Sequence, residues 1–363
     1  MPHPLKALAV AVCLIAAGAC SRVNEDPVVE EAEKMATPEP PTPEEQALDL
    51  ALGRIGGDFA GKVGIAVHDL QTGATVHYNG LDLYPQQSVS KLWVALTALE
   101  QVDKGKLELD DRVTIRTADL TLFYQPIRND VRRGGGAFTT TVADLMKRAI
   151  TQSDNTANDA LLRTVGGPDA VRGFLRRHDI ASIRFGPGER AMQSAIAGLE
   201  WRQSYAQARV FYDERDKLPD AVRADAFEAY LADPVDGAAP VALAGALARV
   251  TKGDVVSKRS SQYLLDMLKQ VKSGPNRLKG GAPAGWAVAH KTGTGQEWGG
   301  EQSGYNDVAI LTAPDGDRYA VAVLIARTSA PIPARMAMMH EVVAAVVEYD
   351  AARDALASGE AED

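Results

Sequence analysis

The chain has 363 residues, 45% of them hydrophobic and 24% charged, with a formal net charge of −9, which is ample length and apolar content for a large core. Residues 47–363 carry only −4 of that charge, so there is no basic excess of the kind that binds nucleic acid. Both cysteines, Cys13 and Cys20, fall in the first 20 residues, so everything after them lacks a disulfide, a cysteine-based metal site and a thiol nucleophile.

In chain order, Lys6 precedes an apolar run from Ala7 to Ala17, and small residues lead into Cys20. That is the pattern of a secretion signal, and the run is too short to favour a membrane span. "AAGAC" resembles a bacterial lipobox, in which the cysteine becomes the lipidated first residue. Ala17 stands where leucine is usual, and Ala17-Gly18-Ala19 also suits ordinary signal cleavage. The expectation is an exported, periplasmic protein attached to the membrane through a lipidated Cys20. Residues 21–46 hold eight acidic residues, two basic ones and five prolines, a disordered tether by composition.

The folded part is expected over residues 47–363. "KVGIAVHDL" (62–70) and "TVHY" (75–78) predict two strands joined by a glycine-containing turn. "WAVAHKT" (286–292), "NDVAILTA" (306–313) and "RYAVAVLIA" (318–326) predict three more, with "PDGD" as the hairpin between the last two. The apolar period from Ala334 to Leu356 predicts a helix, and residues 86–270 look mainly helical. The fold class is therefore α+β: an antiparallel five-stranded sheet built from both chain ends (60–80 and 285–356), flanked by helices, with an all-helical region inserted.

"GGDFAGKV" (56–63) mimics a phosphate loop but puts Val63 where a Mg²⁺-binding hydroxyl is needed, and "RRGGGAF" (132–138) opens no helix with a phosphate lysine. Both predict turns. The six histidines show no metal-ligand spacing, so neither metal nor cofactor is expected.

"QQSVSKLWVALTALE" (86–100) places Ser88 three residues before Lys91. On a helix those two share a face and Ser90 does not. A lysine in a dry cleft gives up its proton more readily and can serve as base to the hydroxyl, which makes Ser88 the candidate nucleophile. Ser153-Asp154-Asn155, after the helical "TVADLMKRAIT", brings a hydroxyl and an amide to a helix–loop junction. "HKTGTG" (290–295) ends a strand with a cation (Lys291), a hydroxyl (Thr292) and a glycine (Gly293) that lets a ligand near the backbone. Each motif alone is ordinary helix-capping or turn chemistry.

In this order, Ser-x-x-Lys, Ser-Asp-Asn and Lys-Thr-Gly form the signature of class A β-lactamases and penicillin-binding proteins. The sequence resembles the class A β-lactamase family over most of residues 50–350, including "QSDNTANDALLRTVGGPDAVRGFLR" (152–176), "LKGGAPAGWAVAHKTGTG" (278–295) and "YNDVAIL" (305–311). The resemblance implies that Ser88 attacks the carbonyl of a β-lactam, a small-molecule partner, that Lys91 helps deprotonate it, and that Ser153 passes a proton to the leaving nitrogen. It implies Asn155 on the substrate's side-chain amide, Lys291 and Thr292 on its carboxylate, and the backbone N–H groups of Ser88 and Thr294 as an oxyanion hole. Arg277 matches a second carboxylate-binding arginine found in some members, and Tyr124 the aromatic at the pocket rim. Glu189, 36 residues after Ser153, falls on the deacylating glutamate, with Gln193 where the family keeps an asparagine on the hydrolytic water. The 46 residues from 194 to 239 exceed what the family uses there, and the spacing of "LEWRQSYAQARVFYDERDKL" (199–218) predicts that this insertion is folded helix.

The protein is expected to act as a monomer. The residues also admit a penicillin-binding D,D-peptidase, with the same nucleophile and a slower leaving acyl group, or a catalytically silent envelope-tethered binding module.

Overall fold

Five strands and the helices packed on them position everything that follows. In chain order the elements used below are α1 (Pro43–Asp58), β1 (Lys62–Asp69), β2 (Thr75–Tyr78), α2 (Lys91–Asp103), α3 (Asn155–Thr164) and α4 (Glu189–Ile196). They continue with α5 (Val210–Arg215), α6 (Asp220–Ala232), α7 (Pro240–Lys252), β3 (Ala287–Thr294), β4 (Tyr305–Thr312), β5 (Arg318–Arg327) and α8 (Ile332–Ser358). The computed structural model describes residues 40–207 and 209–359, and the expected signal segment with Cys20 lies outside them. No helix among the described residues is long and apolar enough to cross a membrane.

The sheet runs β2–β1–β5–β4–β3, all neighbours antiparallel. The expected α+β class and the five expected strands are present, with β3 at one edge. Tight turns join the hairpins: Gly73 has φ +83° between β1 and β2, and Gly316 has φ +109° in the "PDGD" turn, conformations that glycine adopts without cost.

Both faces of the sheet are covered, and alternation along each strand decides which face a side chain feeds. Ile65, Val67, Val321 and Val323 pack with Leu48 and Leu52 of α1 and Met339, Val342 and Val346 of α8. Ala66, Ala322 and Leu324 pack on the other side with Leu243, Ala244 and Leu247 of α7 and with α2. Helix α2 is buried all round, through Leu92, Trp93, Val94, Leu96 and Leu99, as befits a central core helix. Each such side chain contributes about 1.5–3 kcal/mol on burial, and together they draw the start of α2, with Lys91, out of water.

Three expectations are corrected. The tether was placed as far as residue 46, but α1 begins at Pro43. Thr42 Oγ1 accepts from Glu45 N, and Glu45 Oε2 accepts from Thr42 N. The proline and glutamates that resembled tether composition are thus a helix start: a capping box with proline at the first position. Residues 86–270 also contain a two-stranded ribbon, Arg112–Arg116 with Ala137–Thr141.

Residues 199–218 form no single helix. A 3₁₀ turn (Gln203–Ala206) and the short α5 replace it. Tyr205 and Phe211 bury into a cluster with Leu122 and Ala197, against which Phe123 and Trp201 also pack. Ring contacts to the neighbouring loop set the path here, at the expense of a continuous helical stripe.

The turn before α2 is tied to the sheet by Asn306, fully buried on β4. Its Nδ2 donates to the carbonyls of Pro85 (2.7 Å) and Gln86 (3.1 Å), and its Oδ1 accepts from Ile325 N (3.0 Å). Asn306→Ala strands these buried groups, each worth about 1–3 kcal/mol when orphaned. Urea unfolding should show at least about 2 kcal/mol lost.

Candidate active site

The chain from Gln87 to Ser90 makes one 3₁₀ turn and runs directly into α2. Gln87 takes φ +52°, a strained conformation for a residue with a side chain. Asp236 Oδ2 accepts its N–H at 2.7 Å, and its carbonyl accepts from Ser90 Oγ at 2.7 Å. Ser90 is thus spent on bracing the turn. Ser88 faces the cleft, and Lys91 Nζ lies 2.6 Å from its Oγ.

The same ammonium reaches Asn155 Oδ1 (2.9 Å) and Glu189 Oε1 (2.5 Å). Lys91 is 0% exposed and Glu189 4%, so all three ammonium donors are satisfied with no help from bulk water.

Asn155 opens α3 and Asp154 caps it, Asp154 Oδ1 accepting from Ala157 N at 2.9 Å and its Oδ2 from Ile127 N at 2.7 Å. Asn155 Nδ2 gives one hydrogen to Leu122 O (3.0 Å), leaving its second for a ligand. Ser153 sits before the cap at φ +59°. Its Oγ is 3.2 Å from Lys291 Nζ, which also donates to Thr292 O at 2.9 Å. Lys291 is fully buried on β3. Burial first, then the charge of Lys91, hold its pKa well below the ordinary lysine value. Thr292 Oγ1 hydrogen-bonds Ser273 Oγ (2.6 Å).

Glu189 begins α4 after Gly188 at φ +101°. Its N–H donates to Asp159 Oδ1 of α3 (3.1 Å). One helical turn on, Gln193 Nε2 lies 2.9 Å from Gln87 Oε1 and 3.4 Å from Glu189 Oε2. Gln296 Nε2 donates to the carbonyl (2.8 Å) and to Oε1 (3.1 Å) of Gln193.

These residues line a cleft of about 890 Å³: Ser88, Tyr124, Ser153, Asn155, Glu189, Gln193, Thr292 and Thr294 face it. Tyr124 stands 61% exposed at the rim. Lys91, Lys291, Gly293 and Arg277 stand behind that lining. Arg277 is buried, with Nη1 donating to Gly293 O (2.8 Å) and Asn306 O (2.7 Å), and Nη2 to Thr294 Oγ1 (2.6 Å). Its guanidinium lies 3.7 Å over the Tyr305 ring. It reaches the cleft through Thr294 and not by facing it.

Gly293 was expected to let a ligand approach; what approaches it is protein. A Cβ there would fall 2.3 Å from the Gln86 carbonyl oxygen, so the glycine lets the edge strand press against the turn that carries Ser88.

Sequence reasoning missed Ser273, Gln296, Gln87, Tyr230 and Asp236, and the wall formed by Phe123, Tyr212 and Arg215. Most of these meet their partners across 70 or more residues of chain, for example Tyr230 with Gln87 at 143, and no local spacing signals such contacts.

A match to the beta-lactamase enzyme family extends over residues 47–349. The chain belongs to the class A β-lactamase family. It is 31% identical to the β-lactamase L2 of Stenotrophomonas maltophilia over 69% of this chain and 68% of that one. It is 26% identical to the β-lactamase VEB-1 of Pseudomonas aeruginosa, over 74% and 78%. Among solved structures, a β-lactamase from Chitinophaga pinensis superposes with a TM-score of 0.69 at 29% identity, over 84% of this chain and 99% of the other. The protein is a class A-like serine β-lactamase.

Gly293→Ala in this β-lactamase must displace Gln86, two residues before Ser88. A shift of about 1 Å can cost about 100-fold, which kcat/KM on a chromogenic cephalosporin would register.

A pH effect follows from Asp159. Burial, then the neighbouring Glu189 carboxylate, push it up to about 6, against about 3.9 in an unfolded chain. The folded state therefore holds this proton more tightly: the stabilisation is fully present below about pH 4 and is lost as pH rises through about 6. Denaturant titrations from about pH 4 to about pH 7 should show the native protein losing up to about 1.4 kcal/mol per unit relative to Asp159→Asn.

Proposed function

We propose that this enzyme opens the β-lactam ring through an acyl-enzyme on Ser88 and releases it with Glu189 as the base for water. The observation that carries the reading is that the buried ammonium of Lys91 is shared between the Ser88 hydroxyl, Asn155 and Glu189. The proton of Ser88 leaves through this Lys91–Glu189 pair as Oγ bonds to the lactam carbonyl carbon. The backbone N–H groups of Ser88 and Thr294 hold the resulting oxyanion, where such donors are worth about 3 kcal/mol.

Collapse of the tetrahedral species breaks the C–N bond, and Ser153, beside Lys291, hands its hydroxyl proton to the departing nitrogen; the proton that the Lys91–Glu189 pair took from Ser88 then replenishes Ser153, so Glu189 is a carboxylate again before water attacks. Thr292, with the cation of Lys291 behind it, receives the substrate carboxylate. Asn155 offers its free amide hydrogen to the side-chain carbonyl, and Tyr124 borders that side. In the second half, Glu189 takes a proton from water, the hydroxide attacks the ester, and Oγ leaves with the proton restored. Gln193, within 3.4 Å of Glu189 Oε2, is the residue we assign to holding the attacking water. Arg277 acts by fixing Thr294. The enzyme works as a monomer, exported to the periplasm and anchored through a lipidated Cys20, with residues ahead of Thr42 as spacer.

Intact mass and ring absorbance followed together with a penicillin test this. Ser88→Ala should give neither adduct nor ring opening. Glu189→Ala should trap an adduct of protein plus penicillin, with deacylation at least about 100-fold slower. Native-like turnover in Glu189→Ala would remove Glu189 from the reaction and favour a peptidase-like route.

A further inference from the structure

The insertion reaches the catalytic residues from behind. Tyr230, on α6, is 6% exposed and packs between Met192 and Ile196 of the glutamate helix α4. Its hydroxyl donates to Asp236 Oδ1 (2.9 Å) and accepts from Gln87 Nε2 (2.6 Å). Gln87 Oε1 then accepts from Gln193 Nε2, which also faces Glu189 Oε2. No ion pair to Asp236 exists among the described residues, so its carboxylate is held by the Tyr230 hydroxyl and the Gln87 N–H.

The row runs between two carboxylates, Asp236 and Glu189, and the direction of its hydrogen bonds satisfies both ends. A carboxylate only accepts, so Tyr230 must donate to it and must accept from Gln87. Gln87 therefore turns its amide nitrogen to Tyr230 and its oxygen to Gln193. Gln193 in turn presents N–H groups to Gln87 and to Glu189, leaving Oε1 to Gln296.

The geometry points to Tyr230 and Asp236 as positioning residues that fix the orientation of the Gln193 amide against Glu189, and so set the deacylation rate. This rests on Glu189 serving deacylation. Neither residue faces the cleft; both act through Gln87 and Gln193.

Two variants break the row differently. Tyr230→Phe removes the hydroxyl and leaves Gln87 Nε2 without its acceptor. Asp236→Asn keeps the shape and reverses the direction. The Gln87 N–H still demands an oxygen, so the new amide nitrogen faces Tyr230 and donates to it. Tyr230 must then donate to Gln87, whose amide turns over, and Gln193 is left with its oxygen against the Glu189 carboxylate.

The experiment is a stopped-flow and intact-mass comparison of the full chain with a penicillin, separating acylation from deacylation. Native, Tyr230→Phe, Asp236→Asn, Glu189→Ala and a control, Tyr205→Phe, run side by side. Tyr205 is the insertion's other deeply buried tyrosine, packed by its ring on Trp201 and Phe211.

Tyr230→Phe and Asp236→Asn should each slow deacylation about 10- to 100-fold and accumulate adduct, with acylation within about 2-fold of native and Tyr205→Phe unchanged. Deacylation unchanged in both, or acylation and deacylation falling together, overturns the proposal. Should Asp236→Asn fail to fold, Tyr230→Phe decides alone. A Glu189→Ala chain that deacylates like the native one sinks the Glu189 reading and this proposal with it. A Glu189→Ala chain that stalls while Tyr230→Phe does not sinks this proposal only.

Discussion

A lysine ammonium with no solvent exposure is the constraint on which the site is built. Taking such a charge out of water costs several kcal/mol, repaid only when its hydrogen-bond partners are all in place. For Lys91 those partners come from three separate stretches: the 3₁₀ turn at Ser88, the start of α3 at Asn155, and the start of α4 at Glu189. None can drift without leaving a buried charge short of an acceptor. What places Lys91 there is the core, because α2 is apolar on every side and pulls its own first residue inward.

A second buried cation faces it from β3. Lys291 feels the charge of Lys91, and both feel the carboxylate of Glu189. Buried carboxylates, Asp307 and Glu189 among them, offset part of this positive charge, and Thr292 on the same strand faces the cleft in front of Lys291. Arg277 adds to this field from behind while its hydrogen bonds hold the end of β3 in shape. Gly293 completes the arrangement, since its missing side chain is what lets β3 and its lysine press on the turn that carries Ser88.

The fold was legible where sequence period and burial agree. The five strands alternate between two cores, and the closing helix carries one long apolar face, so local pattern sufficed. The three signature motifs were legible because each needs only neighbours: three residues from Ser88 to Lys91, and adjacent residues in Ser153–Asn155 and Lys291–Gly293. The start of α1 was misjudged because prolines and glutamates serve a tether and a helix N-terminus equally, and only the hydrogen bonds of Thr42 with Glu45 decide between them. The insertion is folded and largely helical as its spacing implies, but within 199–218 the helix is broken for a different reason. Trp201, Tyr205, Phe211 and Tyr212 answer to ring contacts with one another and with Phe123, and those contacts obey no helical period.

The same distinction explains why an insertion of this length can belong to the site. Lengthening a loop is thermodynamically cheap, about 0.6 kcal/mol per doubling, so length alone would leave these residues free to hang in solvent. Instead the stretch is fastened at two places. Its first part packs Phe211 and Tyr205 around Leu122 and Phe123, the segment whose Leu122 and Tyr124 carbonyls bond Asn155, and brings Tyr212 and Arg215 to the cleft. Its later part buries Tyr230 behind Gln87 and α4. One fastening lines part of the cleft, and the other stands behind Gln87 and Glu189. Between them the insertion supplies part of the cleft's own lining and backs Gln87 and the glutamate helix with packed protein.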